Sequence, residues 1–284
     1  MRGRRAAAAA MLVLAALVFT EGLVLAQRSI TLMTWNIKHA LGCDGLVDLD
    51  RIAQVIEASG ADVVGLNEVD RGFPRSGMVF QARYLAERLG FDYAFAPAFA
   101  VATGSYGNAI LSRYPILESW TVALPADALS EPRSAAVARI DVGEAVLSFV
   151  STHLDHKDAR IRRNQALRVH EELQALPNPK VLAGDLNAWA VTAEVTLFQR
   201  VMNDAHTLYR MVACTDRVTP ERLLEDGYTL PSTAPTSRID YIFLSPDLRL
   251  EEGAGGYRVL PTVASDHLPV VATVRLRPEG WDDL

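Results

Sequence analysis

Six short segments of this chain begin or end apolar runs with side chains that are costly to bury. They are Thr34-Trp35-Asn36, Asn67-Glu68-Val69-Asp70, Ser151-Thr152-His153, Gly184-Asp185-Leu186-Asn187, Arg238-Ile239-Asp240-Tyr241 and Ser265-Asp266-His267. A hard cation such as Mg²⁺ takes oxygen ligands and keeps several waters, so one or two carboxylates plus an amide suffice to hold it. A carboxylate or imidazole within hydrogen-bond reach can orient and deprotonate an attacking water. These residue types are therefore the equipment of metal-assisted hydrolysis. Taken one at a time, each segment reads more simply as a turn, because Asp and Asn at a strand end are good turn formers.

The elements that must position these side chains are short strands alternating with two or three helices, without an internal repeat or a long linker. Residues 29–36 alternate apolar and polar positions and predict a strand ending at Asn36. Leu49, Ile52, Val55 and Ile56 share one helical face, with Gly60 placed to stop the helix. Residues 62–67 predict a buried strand that delivers Glu68 at its end, and 145–152 one that ends at His153. The Arg-rich stretch 158–176 predicts a helix with Ile161, Val169 and Leu173 inward. Residues 180–183 form a short strand opening on Gly184-Asp185, and 239–244 and 270–276 are further strands beside charged motifs. The expectation is an α/β fold of two packed, mostly antiparallel β-sheets flanked by helices, a four-layer α-β-β-α sandwich. Strand ends then converge on one rim, with the Pro- and Gly-containing stretch 214–237 as a surface excursion nearby.

In order and spacing the segments resemble the endonuclease/exonuclease/phosphatase superfamily, the deoxyribonuclease-like fold, from about Ile30 to Leu276. The most specific pieces are Gly-Asp-Leu-Asn at 184–187 and Ser-Asp-His-Leu-Pro-Val at 265–270, joined by residues 107–113 and Glu131-Pro132-Arg133. The resemblance implies Mg²⁺ or Mn²⁺ as cofactor, with Glu68, Asn36 and Asp266 as metal ligands. It implies that Asp185 activates or positions the water, that Asn187 fixes it and touches the phosphate, and that Asp240 orients His267, whose imidazolium takes up charge on the phosphate. His153 would face that phosphate from the other side and Arg133 would bind a second of its oxygens, while Asn108 either binds the phosphate as well or closes a turn. Asn67 departs from the family, where Gln is common before the Glu, which bears on the tuning of the site rather than on the ligand. His39, His156, His170 and His206 fall outside the strong motifs and read as surface or packing residues, as do Phe91, Tyr93, Phe95 and Phe99.

Half of the 284 residues are hydrophobic and 22% are charged, which excludes a disordered chain. Arg2, Arg4 and Arg5 precede an apolar run and Val24-Leu25-Ala26, which reads as a signal peptide over 1–26 or, if uncleaved, a membrane anchor. The hydrolase domain is then 27–284, exported to the periplasm or the extracellular space. Removing 1–26 takes away three Arg and one Glu, leaving 25 basic against 33 acidic residues, a charge of −8. That sign disfavours affinity built on non-specific phosphate neutralisation, although Arg160, Arg162, Arg163 and Arg168 could form a local patch. Cys43 and Cys214 either pair in an oxidising compartment or remain separate thiols.

The expected substrate is a small or lipid-linked phosphoester, diester or monoester, with membrane-surface association and a monomeric state as further expectations. Residues 68–71, 75–77 and 81–82 resemble the compact exported branch that includes sphingomyelinase-like and GPI-lipid-remodelling-associated members. A secreted nuclease acting on DNA or RNA is the alternative, and a non-catalytic binding scaffold the second.

Overall fold

The alternation that starts at Ile30 becomes strand β1 (Ile30–Asn36), which sends Ile30 and Leu32 into one core and Met33 and Trp35 into another. The computed structural model describes residues 29–213, 227–253 and 255–276. The leader read at 1–26 and Cys214 lie outside these residues, while Cys43 is a free, exposed thiol.

After β1 come α1 (Leu49–Ser59), β2 (Val63–Arg71), α2 (Gln81–Leu89), β3 (Asp92–Val101), β4 (Gly104–Ser112), β5 (Ile116–Ala123), β6 (Ser134–Asp141) and β7 (Val146–His153). Helix α3 (Ala159–Ala175), β8 (Lys180–Asp185), α4 (Ala193–Gln199), β9 (Asn203–Asp204) and α5 (Ala205–Ala213) follow. The described chain closes with β10 (Asp240–Leu244), β11 (Leu248–Leu250), β12 (Tyr257–Val259) and β13 (Val270–Leu276). The short helices α2, α4 and α5 exceed the two or three expected, because segments of seven to nine residues are too brief for a 3.6-residue period to stand out.

The strands make a seven-stranded sheet in the order β11-β13-β1-β2-β4-β3, with β12 on β13, and a six-stranded sheet in the order β5-β6-β7-β8-β10-β9. Pairing is antiparallel except for β1 with β2 and β7 with β8. Each parallel pair needs a crossover, and α1 and α3 supply them. Three cores separate four layers. Leu32, Ile110, Phe149 and Ile242 fill the space between the sheets. Ile52, Ile56 and Leu85 of α1 and α2 pack on one outer face, and Val169, Leu173 and Phe198 of α3 and α4 on the other. Both long helices start on a carboxylate cap, Asp48 for α1 and Asp158 for α3, and Gly60 stops α1 in the left-handed region at φ 73°.

The parallel pair β7–β8 closes so tightly that Gly184 has no alternative. A Cβ there would sit 1.9 Å from the Thr152 carbonyl oxygen, on a backbone at φ +145°. Gly184→Ala is therefore expected to destabilise the chain by about 3 kcal/mol or more, read as a fall in the urea midpoint at constant slope.

Candidate active site

The two parallel pairs bring their C-terminal ends to the same rim, which is where side chains from distant segments can meet. Asn36 pairs with Asn67 in one sheet, and His153 with Asp185 in the other. Asp240, first residue of β10, lies opposite Asp185. Asn67 ties the sheets together: its Oδ1 accepts the Asp185 amide N–H at 3.0 Å, and its Nδ2 donates to the Thr152 carbonyl at 3.0 Å and to Asn108 Oδ1 at 2.8 Å. The departure from Gln thus leaves a fully used amide that fixes Asp185.

Strand β2 does not stop before Glu68, as the sequence suggested, but runs on to Arg71 through a bulge between Leu66 and Val69. Glu68 sits in that bulge at φ 58°, and Asn187 stands at φ 48° just beyond β8. A non-glycine residue in the left-handed region costs about 1–3 kcal/mol and persists where its surroundings enforce it. Here the bulge turns the Glu68 side chain to the cavity wall.

Asn36, Glu68, His153, Asp185, Asn187, His267 and Arg133 all line one cavity of about 290 Å³. Asn36 Nδ2 donates to Glu68 Oε1 and to Asp185 Oδ2, both at 3.1 Å. Asp185 Oδ2 lies 3.5 Å from His153 Nε2 and 3.7 Å from His267 Nε2. His267 Nδ1 is 2.9 Å from Asp240 Oδ2, and Trp35 Nε1–H holds the His267 carbonyl at 2.9 Å. Arg133 Nη1 faces His153 Nδ1 at 3.0 Å, and Asn187 Nδ2 faces His153 Nε2 at 3.0 Å.

The two histidines are driven in opposite directions. Burial, reinforced by the Arg133 guanidinium, holds His153 well below its ordinary value, so it is neutral. Burial also opposes charge on His267, but the Asp240 carboxylate, then Asp185, outweigh it and raise His267 to about 10. Burial, followed by the neighbouring Asp240 charge, pushes Asp185 up to about 7. An anion-stabilising imidazolium beside a carboxylate poised near neutrality is a pairing suited to moving a proton from water.

The oxygen donors fit a hard divalent cation. Glu68 offers a carboxylate held against the cavity by strained backbone, with the Asn36 amide beside it. Asp185, Asp240 and His267 form a second cluster whose potential ligand atoms lie within 4.8 Å of one another. His267 and Asp240 are hydrogen-bonded to each other there, whereas among the described residues the Glu68 carboxylate meets only the Asn36 Nδ2, and the Asn36 Oδ1 accepts from the Lys38 N–H at 3.1 Å. Asp266, the third expected ligand, is instead gripped by Lys38 Nζ at 2.6 Å and does not line the cavity. Lys38 is held there by a run of left-handed backbone, Lys38, His39 and Ala40 at φ 45°, 45° and 65°. A lysine that competes for a ligand should weaken metal binding. Lys38→Met is expected to tighten Mn²⁺ binding about twofold to fivefold, the worth of a partly exposed ion pair, as measured by calorimetric titration.

Asn108 lies behind the wall, not on it: its amide is spent on Asn67 and on the Ser134 carbonyl at 2.8 Å, so it braces the site and cannot reach a phosphate. His156, read as a packing residue, lines the cavity with its Nδ1 3.3 Å from Arg133 Nη2. Its signal was its position three residues beyond His153 at the same strand end. Arg75, Phe99, Tyr106 and Glu131 complete the lining. His206 packs against Tyr257, and His170 contacts Gln174. The His39 carbonyl accepts from Gln81 Nε2, and its ring lies off the cavity.

The family model described as Endonuclease/Exonuclease/phosphatase family matches residues 33–267. The uncharacterized protein YbhP of Escherichia coli (strain K12) is 27% identical over 202 residues, 68% of this chain and 72% of its own length. The crystal structure of an endonuclease/exonuclease/phosphatase from Beutenbergia cavernae DSM 12333 is 27% identical, with a TM-score of 0.66 over 88% of this chain and 72% of that one. The mannosyl-6-phosphatase Bt3783 of Bacteroides thetaiotaomicron VPI-5482, 24% identical, has a TM-score of 0.65 over 87% of this chain and 99% of its own, a likeness of fold.

Proposed function

This chain belongs to the endonuclease/exonuclease/phosphatase family of phosphoester hydrolases, and from that premise we propose that it is a Mg²⁺- or Mn²⁺-dependent hydrolase of small or lipid-linked phosphoesters acting outside the cytoplasm. The observation that carries the substrate class is the cavity. At about 290 Å³, with Arg75, Phe99, Tyr106, Glu131 and His156 around the reacting groups, it suits one phosphoryl group and a compact leaving group. The basic helix that would favour nucleic acid is largely spent on internal pairs. Arg160 binds Asp127, Arg162 lies against Glu194, and Arg168 binds Glu172. The leader pattern at 1–26 supports export.

In this reading Asp185 takes the proton of the attacking water while Asn187 holds that water in line. His153 and Arg133 present N–H groups to the phosphoryl oxygens, and the His267 imidazolium, oriented by Asp240, stabilises the charge that grows there. A cation at Glu68 and Asn36 would polarise the phosphoryl oxygen and stabilise the leaving oxygen.

A panel of plasmid DNA, RNA, sphingomyelin, glycerophosphodiesters and sugar or inositol phosphates, each with Mg²⁺, Mn²⁺ or chelator, tests this. Turnover of a small or lipid-linked ester, abolished by chelator and restored by metal, is expected. Steeply salt-dependent plasmid nicking that disappears in Asp185→Ala would make the protein a nuclease instead. Turnover that survives chelation would overturn the mechanism.

A further inference from the structure

One cation on the cavity wall has no part in the chemistry above. Arg75 stands on the turn between β2 and α2, and its Nε and Nη2 grip both oxygens of Asp70 at 2.8 and 2.7 Å. Asp70 is fully buried and also accepts from Ser76 Oγ at 2.9 Å. The guanidinium lies 5.2 Å from the Phe73 ring centre and 5.6 Å from that of Tyr106. A planar group pinned along one edge and flanked by two rings has lost its rotamer freedom in advance, so little entropy remains to be lost when its other edge binds.

That other edge is available. Among the described residues no hydrogen bond engages Arg75 Nη1, and the side chain is 47% exposed at the cavity wall. Arg133 differs: its Nη1 already faces His153 Nδ1, the Tyr106 hydroxyl at 3.4 Å and Glu131 Oε1 at 3.1 Å. Tyr106 therefore stands between two guanidinium groups, one committed to the reacting phosphate and one spare. Tyr106 is tilted against Phe99, with ring centres 5.3 Å apart, and both rings line the cavity with Arg75. An ion pair needed only to neutralise Asp70 would be complete with the Nε–Nη2 edge. It would not require Arg75 to line the cavity.

We propose that Arg75, flanked by Phe73 and Tyr106, forms a subsite for a second oxyanion of the substrate. The substrate class is then a small phosphoester whose leaving group carries a further phosphate or carboxylate. This rests on the phosphoester reading above and narrows it. A guanidinium edge matches the oxygens of either anion bidentately.

The test uses non-hydrolysable ligands, so that binding is read apart from turnover. Propylphosphonate, 3-phosphonopropionate and 1,3-propylenebisphosphonate are titrated calorimetrically, in excess Mg²⁺, into the full chain, Arg75→Gln and Asp70→Asn/Arg75→Gln. The double variant leaves no unpaired buried carboxylate, which guards against a folding defect. The natural chain is expected to bind at least one of the two-anion ligands about tenfold or more tighter than propylphosphonate, and the stronger one identifies the second group. Both variants should bring that ratio below about threefold while Mg²⁺ affinity stays unchanged. Equal binding of one-anion and two-anion ligands by the natural chain, or a ratio retained in the double variant, overturns the subsite. So does a parallel loss of Mg²⁺ affinity, which would assign Arg75 to the support of Glu68. Absence of phosphoester turnover in the substrate panel, with this binding pattern intact, would instead count against the hydrolase reading.

Discussion

Asp185→Asn is expected to lower kcat by about 10³-fold or more while leaving the melting temperature unchanged or slightly higher. The carboxylate is buried, and burial with the Asp240 charge beside it raises it to about 7, so the fold holds this charge at a cost. The amide has the same shape and keeps an oxygen to accept the Asn187 N–H now bonded at 2.9 Å; its NH₂ replaces the oxygen that accepts from Asn36 Nδ2, and the loss of that bond offsets part of the gain from removing the buried charge. The amide cannot accept a proton from water, so the barrier rises without the strand end being disturbed. Stopped-assay kinetics with the best substrate of the panel, set beside thermal melts, separates the two effects. A melting temperature lowered by more than about 5 °C, corresponding to 1–2 kcal/mol in a chain of this size, would mean that Asp185 holds the fold together and that lost activity says little about proton transfer.

Much of this site was legible because it lies where apolar runs stop. Asn36, His153 and Asp185 are the last residues of buried strands, and Asp240 the first of another, so a short apolar run meeting a costly side chain marks all four. The four layers were legible for a related reason: β1 alternates between two cores, which requires something packed on both faces. Backbone departures were not. Residue order puts Glu68 at a strand end because nothing in it signals a bulge, and it is the bulge that carries its carboxylate to the cavity. Contacts across the whole chain were equally silent. Lys38 and Asp266 are 228 residues apart, and their ion pair depends on three consecutive residues in left-handed backbone that no propensity favours. Arg75 and Tyr106 reach the cavity from a turn and a strand outside the strong motifs, and Asn108 is withdrawn from it because Asn67 and Ser134 claim its amide.

The opposed histidines lead to the second large effect. Asp240→Asn should move both limbs of the pH–rate profile toward acid. Asp240 is a main reason that His267, despite burial, stays charged up to about 10, and it is also what, after burial, raises Asp185 toward 7. Neutralising it lowers both. An opposite charge at hydrogen-bond distance is worth about 1–3 pKa units, so at pH 9 the imidazolium would be largely lost and the rate should fall about 10²-fold relative to the natural chain. Near pH 6 the deficit should shrink, since His267 is still protonated there and Asp185 loses its proton earlier. Stability follows the same sign. A histidine raised above its unfolded value stabilises the fold fully below about 6.5 and ceases to do so as pH climbs through about 10. In Asp240→Asn that loss should come at lower pH, visible in melts between pH 7 and 9. Limbs that stay in place while the rate falls uniformly would show that Asp240 acts only by orienting the ring, through the 2.9 Å contact between His267 Nδ1 and its Oδ2. The charge on His267 would then owe more to Asp185 and Asp266, the other carboxylates that raise it.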